Sequence, residues 1–82
     1  MLDAWLIDRE QFWCLRFHQD PKSWLQDPHV FVDHGRGMPN GEPALLKSRR
    51  YLRSADARLL WNELVKTGWK PTEAVWGADA EP

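Results

Sequence analysis

Only one stretch of this 82-residue chain has the apolar periodicity of a helix, and it follows several short segments in which apolar and polar residues alternate. After Ser54, apolar residues recur at the three- and four-residue spacing that places them on one side of a helix. They are Ala57, Leu60, Trp61, Leu64 and Val65. Ser54 is a suitable N-cap, and Gly68 supplies a stop after Lys66. A chain of this length has room for one domain, so the helix and the segments before it must share a core.

Three segments before the helix have the two-residue alternation of half-buried strands. They are residues 2–8, 12–18 and 29–34. Residues 44–52 allow two interpretations. Pro43 suits the first position of a helix, but helical spacing gives these residues a poor apolar face, so we prefer a fourth strand.

Two loops contain most of the turn-forming residues. Residues 35–43 are dense in glycine and proline, and residues 19–28 contain Asp-Pro twice. Proline removes a backbone donor and moves the preceding residue out of helical space, so neither segment continues a helix. Trp24 and Leu25 lie in the loop of residues 19–28. We expect them to fold back onto the core, because a loop with nothing to bury does not need large apolar side chains.

After the helix, residues 69–76 are predicted to return as an extended segment. The small, acidic residues 77–82 are expected to fray. The order of elements predicts an α+β fold, a small antiparallel sheet of three to four strands packed against one C-terminal amphipathic helix. The predicted domain spans residues 1–76, and residues 77–82 form an acidic C-terminal tail.

The net charge of −1 conceals an uneven distribution. Residues 36–70 carry eight basic and three acidic side chains, whereas residues 1–35 and 71–82 each have a net charge of −3. The middle third is therefore the region that could face a polyanion. Its candidate surface for nucleic acid or another anion consists of Arg36, Lys47, Arg49, Arg50, Tyr51, Arg53 and Arg58.

On a strand, Lys47, Arg49 and Arg53 would share a face with Tyr51, which offers cations for phosphates and a ring for a base. This pattern predicts one possible function, a nucleic-acid-binding regulator that uses the Lys47–Arg58 surface. The competing interpretation is a solvated strand face whose arginines pair with the acidic parts of the chain.

Six tryptophans are many for a chain of this length. Three fall on predicted core faces: Trp5, Trp13 and Trp61. The other three lie in a loop or in the return segment: Trp24, Trp69 and Trp76. These either seal the core or form a candidate protein interface, because tryptophan is enriched at binding hot spots. Sheet edges also need covering or pairing, so the first hypothesis is a small non-enzymatic module that binds a protein or a second copy of itself.

The sequence predicts no catalytic or metal site. Cys14, His18, His29 and His34 could supply zinc ligands, but their spacing lacks the Cys-x2-Cys hook of zinc folds. On a strand, Cys14 and His18 would also lie about 13 Å apart. We therefore expect no enzyme activity, cofactor or small-molecule substrate. The lone cysteine and the lack of a long apolar run predict a cytoplasmic protein that does not enter the membrane.

Several motifs resemble a family of short uncharacterised proteins, a domain of unknown function, from marine unicellular cyanobacteria. The motifs are VDHGRGMPNGEPALLKSRR at 32–50, LWNEL at 60–64 with Gly68-Trp69 after it, and WGADAEP at 76–82. The N-terminal tryptophan strand and Ser23-Trp24 with Asp27-Pro28 also fit, so the similarity covers most of the chain. The resemblance implies a cytosolic cyanobacterial protein and transfers no catalytic residue, ligand or partner. A tail that belongs to the family pattern would be docked and not frayed.

Overall fold

A computed structural model describes residues 3–82, so Leu2, at the start of the first predicted strand, lies outside the described residues. The described elements are β1 (Asp3–Ile7), β2 (Cys14–Gln19), β3 (His29–Arg36), β4 (Leu45–Arg53), α1 (Ser54–Lys66) and β5 (Lys70–Thr72). The strands form one antiparallel sheet in the order β4-β3-β2-β1-β5. The predicted α+β class is confirmed. Among residues 3–82, no helix is both long and apolar enough to cross a bilayer.

The helix packs against one face of the sheet and encloses the first core. Leu6, Phe17, Val30 and Val32 are buried on this face, and Ala57 is the buried residue of the helix. Partly buried side chains complete the cluster: Leu15, Leu52, Leu60, Trp61, Leu64 and Trp69. The apolar faces that the two-residue alternation predicts for the strands therefore pack against the apolar face predicted for the helix after Ser54.

The helix begins directly at the end of β4. The sequence predicts Ser54 as the N-cap, but Ser54 is the first residue of the helix. The N-cap is Arg53, which has an extended backbone (φ −60°, ψ 147°). The Ser54 N–H donates to the Pro28 carbonyl oxygen at 2.8 Å, so this donor is satisfied by the sheet and needs no cap. Gly68 (φ 105°) follows the helix as predicted. Val65, predicted on the apolar stripe, is 42% exposed and does not join the core.

The C-terminal segment covers the other face of the sheet. Trp76 is buried edge-to-face against Trp5, with ring centroids 4.6 Å apart, and both pack with Cys14. Arg16 donates to the Ala78 carbonyl oxygen at 3.2 Å, which anchors the start of the acidic tail. The tail is therefore docked, in contrast to the expected fraying, because the second sheet face carries apolar side chains that one helix cannot cover.

The fifth strand was not among the three to four that the sequence predicts. β5 lies within the extended segment predicted over residues 69–76 and pairs with β1 from Lys70 to Thr72. It covers that edge of the sheet, and Pro71 within it lacks a backbone donor. At the opposite edge, β4 confirms the preferred interpretation of residues 44–52 as a strand.

A β-bulge changes which β4 residues share a face. The pairing with β3 shifts between Ser48 and Leu46, which leaves Lys47 as the extra residue. Gly35 lies opposite this bulge, where a Cβ atom would come within 2.6 Å of the Leu45 carbonyl oxygen. Lys47 therefore falls outside the two-residue alternation that continues from residue 48 to residue 53.

The buried position of Trp76 gives a test of how the C-terminal segment packs on the sheet. We expect Trp76→Ala to lower the free energy of unfolding by about 3 kcal/mol, because it leaves a cavity beside Trp5. Trp24→Ala is the matched control, since Trp24 is 77% exposed and should change stability by less than about 0.5 kcal/mol. Urea unfolding followed by far-UV circular dichroism measures both. Equal, small effects would show that the C-terminal segment is not packed on the sheet.

Candidate functional site

Residues 20–28, which connect β2 to β3, form a tight turn fixed by its own hydrogen bonds. The Asp20 carbonyl oxygen accepts from the Ser23 N–H at 3.2 Å and from the Ser23 hydroxyl at 2.8 Å. The Asp20 carboxylate accepts from the Lys22 N–H at 2.9 Å. Further along, the Asp27 N–H donates to the Trp24 carbonyl oxygen at 3.1 Å. Short polar side chains that bond to nearby backbone groups make this segment a defined turn.

Two side-chain contacts hold the turn against β4, in addition to the backbone bond at the start of the helix. The Tyr51 hydroxyl donates to the Asp20 carboxylate at 2.5 Å, and the Arg53 guanidinium lies 3.8 Å from the Asp27 carboxylate. The bond to Asp20 raises the pKa of Tyr51 above its ordinary value. The Tyr51 ring also stacks on His29, with centroids 4.7 Å apart and planes 16° from parallel.

The turn and β4 line an open cleft of about 330 Å³. We define the turn cleft by its lining residues Lys22, Ser23, Trp24, Asp27, His29 and Tyr51. Trp24 is 77% exposed and the adjacent Leu25 is 89% exposed. The expectation that both fold back onto the core was wrong. The hydrogen bonds within residues 20–28 fix the turn so that these two side chains project into solvent.

The three tryptophans predicted to form an interface occupy different environments. Trp24 is exposed at the turn cleft. Trp69 is half-buried against the first core, and its backbone N–H donates to the Leu64 carbonyl oxygen at the end of the helix. Trp76 is only 8% exposed. Of the three, Trp24 alone is exposed enough for a partner to contact it, while Trp69 and Trp76 pack in the two cores.

The structure divides the basic residues that the sequence places on one surface. Arg49, Tyr51 and Arg53 share one face of the sheet, as predicted. This face is the one opposite the helix, since these residues alternate with Leu52 of the first core. The prediction that Lys47 shares this face was wrong, because the bulge interrupts the alternation. Its Nζ lies 5.2 Å from the centroid of the Trp13 ring instead.

The other predicted basic residues lie elsewhere. The Arg36 guanidinium is 3.8 Å from the centroid of the Phe12 ring, at the end of the sheet away from the turn cleft. Arg50 lies opposite Val32 and therefore on the helix-bearing side of the exposed edge. Arg58 is exposed on the helix and lines a second cleft together with Arg53 and Asp27. Arg36, Arg50 and Arg58 do not line the cleft that contains the Tyr51 ring.

Arg49 is held by carboxylates of its own chain. Asp33 is fully buried and accepts from Arg49 Nε at 2.6 Å and from Arg49 Nη2 at 2.9 Å. His18 Nε2 lies 2.7 Å from the same carboxylate, and Glu81 lies 3.8 Å from the guanidinium. Burial acts to raise the pKa of Asp33, but the hydrogen bonds from Arg49 and His18 outweigh it and lower that pKa.

Comparison with protein families confirms the resemblance to a family of uncharacterised proteins, while the cyanobacterial origin stays a prediction. The model of a family described as proteins of unknown function, DUF1651, matches residues 3–76. The chain belongs to DUF1651. No curated protein and no solved structure matches the chain.

The DUF1651 match contains the complete turn cleft and the buried carboxylate of Asp33, whereas Ala78 and Glu81 of the docked tail lie beyond it. Sequence reasoning missed Asp33 as a central residue. The available signal is an acidic side chain directly after the apolar run Val30-Phe31-Val32 of a predicted strand. A buried carboxylate needs a cation, and Arg49 is its cross-strand neighbour.

Asp33→Asn tests the energetic weight of this ion pair. We expect it to lower the free energy of unfolding by about 3 kcal/mol near neutral pH, because it leaves Arg49 beside a neutral group. Since the pKa of Asp33 is lowered in the folded state, its contribution is fully present above the unfolded carboxyl pKa of about 3.9. It is lost as the pH falls through the lower folded pKa.

Urea unfolding of the natural protein and Asp33→Asn, measured from near-neutral to strongly acidic pH, gives this difference directly. The gap between the two proteins should narrow in acid. Glu81→Gln is the matched control at the exposed end of the same guanidinium, with an effect below about 1 kcal/mol. A gap that does not change with pH would contradict the assignment.

Proposed function

We propose that this DUF1651 protein is a non-enzymatic protein-binding module whose partner docks at the turn cleft. The observation that carries the proposal is the exposure of Trp24 and Leu25 on a turn held by hydrogen bonds. Tryptophan is among the residues most enriched at binding hot spots. A side chain on a fixed backbone also loses less conformational freedom on binding, so more of the contact energy appears as affinity.

The composition of the turn cleft supports a protein partner. The stacked rings of Tyr51 and His29 and the indole of Trp24 provide aromatic walls. Lys22 and Asp27, which also line the cleft, supply opposite charges. The cleft therefore combines aromatic rings with charged and polar groups. Aromatic residues are enriched at protein interfaces, and such interfaces also contain direct hydrogen bonds.

The alternative function, a nucleic-acid-binding regulator that uses the Lys47–Arg58 surface, has weaker support. A polyanion site gains affinity from cations that neutralise phosphates. Around Tyr51, Arg49 is held by Asp33 and Arg53 lies beside Asp27. The charges next to the stacking ring are therefore already compensated within the chain.

Residues 32–50 resemble proteins of marine unicellular cyanobacteria, so an extract of such a cell is the place to search for the partner. The cytoplasmic location and the absence of enzyme activity remain predictions.

Affinity capture from a cyanobacterial extract tests the docking surface. The immobilised full chain should retain a protein that Trp24→Ala retains at least about tenfold less well, because a hot-spot truncation costs roughly 2 kcal/mol. Phe12→Ala is the matched control, since Phe12 is also an exposed aromatic residue but lies at the other end of β2. Nuclease treatment should leave the capture unchanged. A retained protein that is indifferent to Trp24→Ala, or that nuclease releases, would contradict the proposal.

A further inference from the structure

The outer strand of the sheet next to the turn cleft is an open edge. β4 is nine residues long, and within residues 3–82 no strand pairs with its outer side. The opposite edge is formed by β5, which has three residues and includes Pro71. An unpaired strand can accept another strand through its free backbone groups. β4 is therefore the edge that can add a strand.

The ladder between β3 and β4 shows which backbone groups are free. The Ser54 N–H donates to the Pro28 carbonyl oxygen, so residue 54 points toward β3. Inward and outward groups alternate along an antiparallel strand, which makes the even-numbered positions from 48 to 54 face β3. The outward-facing N–H and C=O groups belong to Arg49, Tyr51 and Arg53.

The side chains of this edge are basic. All of the charged residues of β4 carry positive charge: Lys47, Arg49, Arg50 and Arg53. Arg49 and Arg53 have carboxylates within 4 Å, whereas Lys47 and Arg50 form no salt bridge in the part of the chain that the structure describes. The edge therefore retains positive charge, which an incoming strand must complement with negative charge.

This charge disfavours a second copy of the chain as the added strand. Antiparallel pairing of two β4 strands about Arg49 or Arg50 places that cation opposite its own copy. Pairing about Tyr51 places Arg49 opposite Arg53. Like charges directly opposite in a sheet are destabilising, and basic side chains on an edge are a known protection against self-association.

We propose that β4 accepts an extended, acidic segment of another protein as a sixth strand. Backbone bonds to Arg49, Tyr51 and Arg53 provide the pairing, and acidic side chains lie beside Lys47 and Arg50. Tyr51 lines the turn cleft, so an apolar side chain of the added strand on this face reaches Trp24. This inference rests on the proposed function and specifies the class of its partner.

Amide hydrogen exchange with peptide probes tests the strand addition. The acidic probe is a nonapeptide in which glutamate and valine alternate, and its control has lysine in place of glutamate. In the full chain, the acidic probe should slow exchange of the Arg49, Tyr51 and Arg53 amides at least about tenfold. The amides of Ser48, Arg50 and Leu52 face β3 and should change little. The lysine probe should have no effect.

A pair of variants at one position separates the backbone bond from the side-chain charge. Arg53→Pro removes an outward N–H at a residue whose φ of −60° already suits proline. Arg53→Ala removes the same side chain and keeps the N–H. Arg53→Pro should bind the acidic probe about fivefold more weakly than Arg53→Ala, the effect of one hydrogen bond. Arg50→Gln should weaken binding and reduce its salt dependence.

Each other outcome overturns the inference. Binding of the acidic probe at the turn cleft with unchanged exchange on β4 excludes strand addition but leaves the proposed function intact. Equal protection by a short oligothymidylate identifies a polyanion site instead. A dimer whose β4 amides are protected without a probe identifies a second copy as the partner. Failure of the acidic probe to bind rejects an acidic segment as the added strand. The Trp24→Ala capture experiment still decides the proposed function separately.

Discussion

A sheet with apolar side chains on both faces must be covered twice, and this chain has one helix in its described part. α1 covers the face that carries Phe17 and Val32, and the segment after β5 crosses the other face with Trp76 against Trp5. A small domain buries a modest fraction of its surface, so neither face can be left open without a large loss of stability. The docked C-terminal segment is therefore a structural part of the fold.

The same sheet face contains the buried carboxylate of Asp33. Its bonds to Arg49 join β3 to β4 through side chains as well as through the backbone ladder. Removing a carboxylate from water is costly unless it is paired and hydrogen-bonded, and Arg49 and His18 supply those bonds. One consequence is that the charge of Arg49, in the most basic strand, is neutralised by a carboxylate of the same chain. The surface of β4 is thus less positive than the number of basic residues in its sequence indicates.

Periodicity predicted the elements well, because burial on one side of a helix or strand leaves a direct pattern in the sequence. The stripe containing Leu60 and Trp61 and the strands before it were predicted for this reason. The bulge at Lys47 was not predicted. It requires the backbone of Gly35 to lie close to that of Leu45 on the neighbouring strand, and no local sequence pattern specifies that contact. The docked tail was not predicted from periodicity, because it depends on contacts between segments far apart in the sequence, such as Arg16 with Ala78. The expected folding back of Trp24 was wrong for a different reason: the local hydrogen bonds of its turn hold it in solvent, and apolar composition alone cannot show whether a tryptophan is buried.

The turn of residues 20–28 and the edge strand β4 form one continuous structural unit. Tyr51 belongs to β4 and lines the turn cleft, and its hydroxyl binds Asp20 of the turn. An exposed tryptophan beside an unpaired strand would ordinarily promote aggregation. Cations along β4 oppose pairing with a second basic strand, and the hydrogen bonds of the turn hold Trp24 away from the core. In the complex that we propose, the charge that disfavours a second copy is the same charge that favours an acidic strand, so one set of side chains serves both purposes.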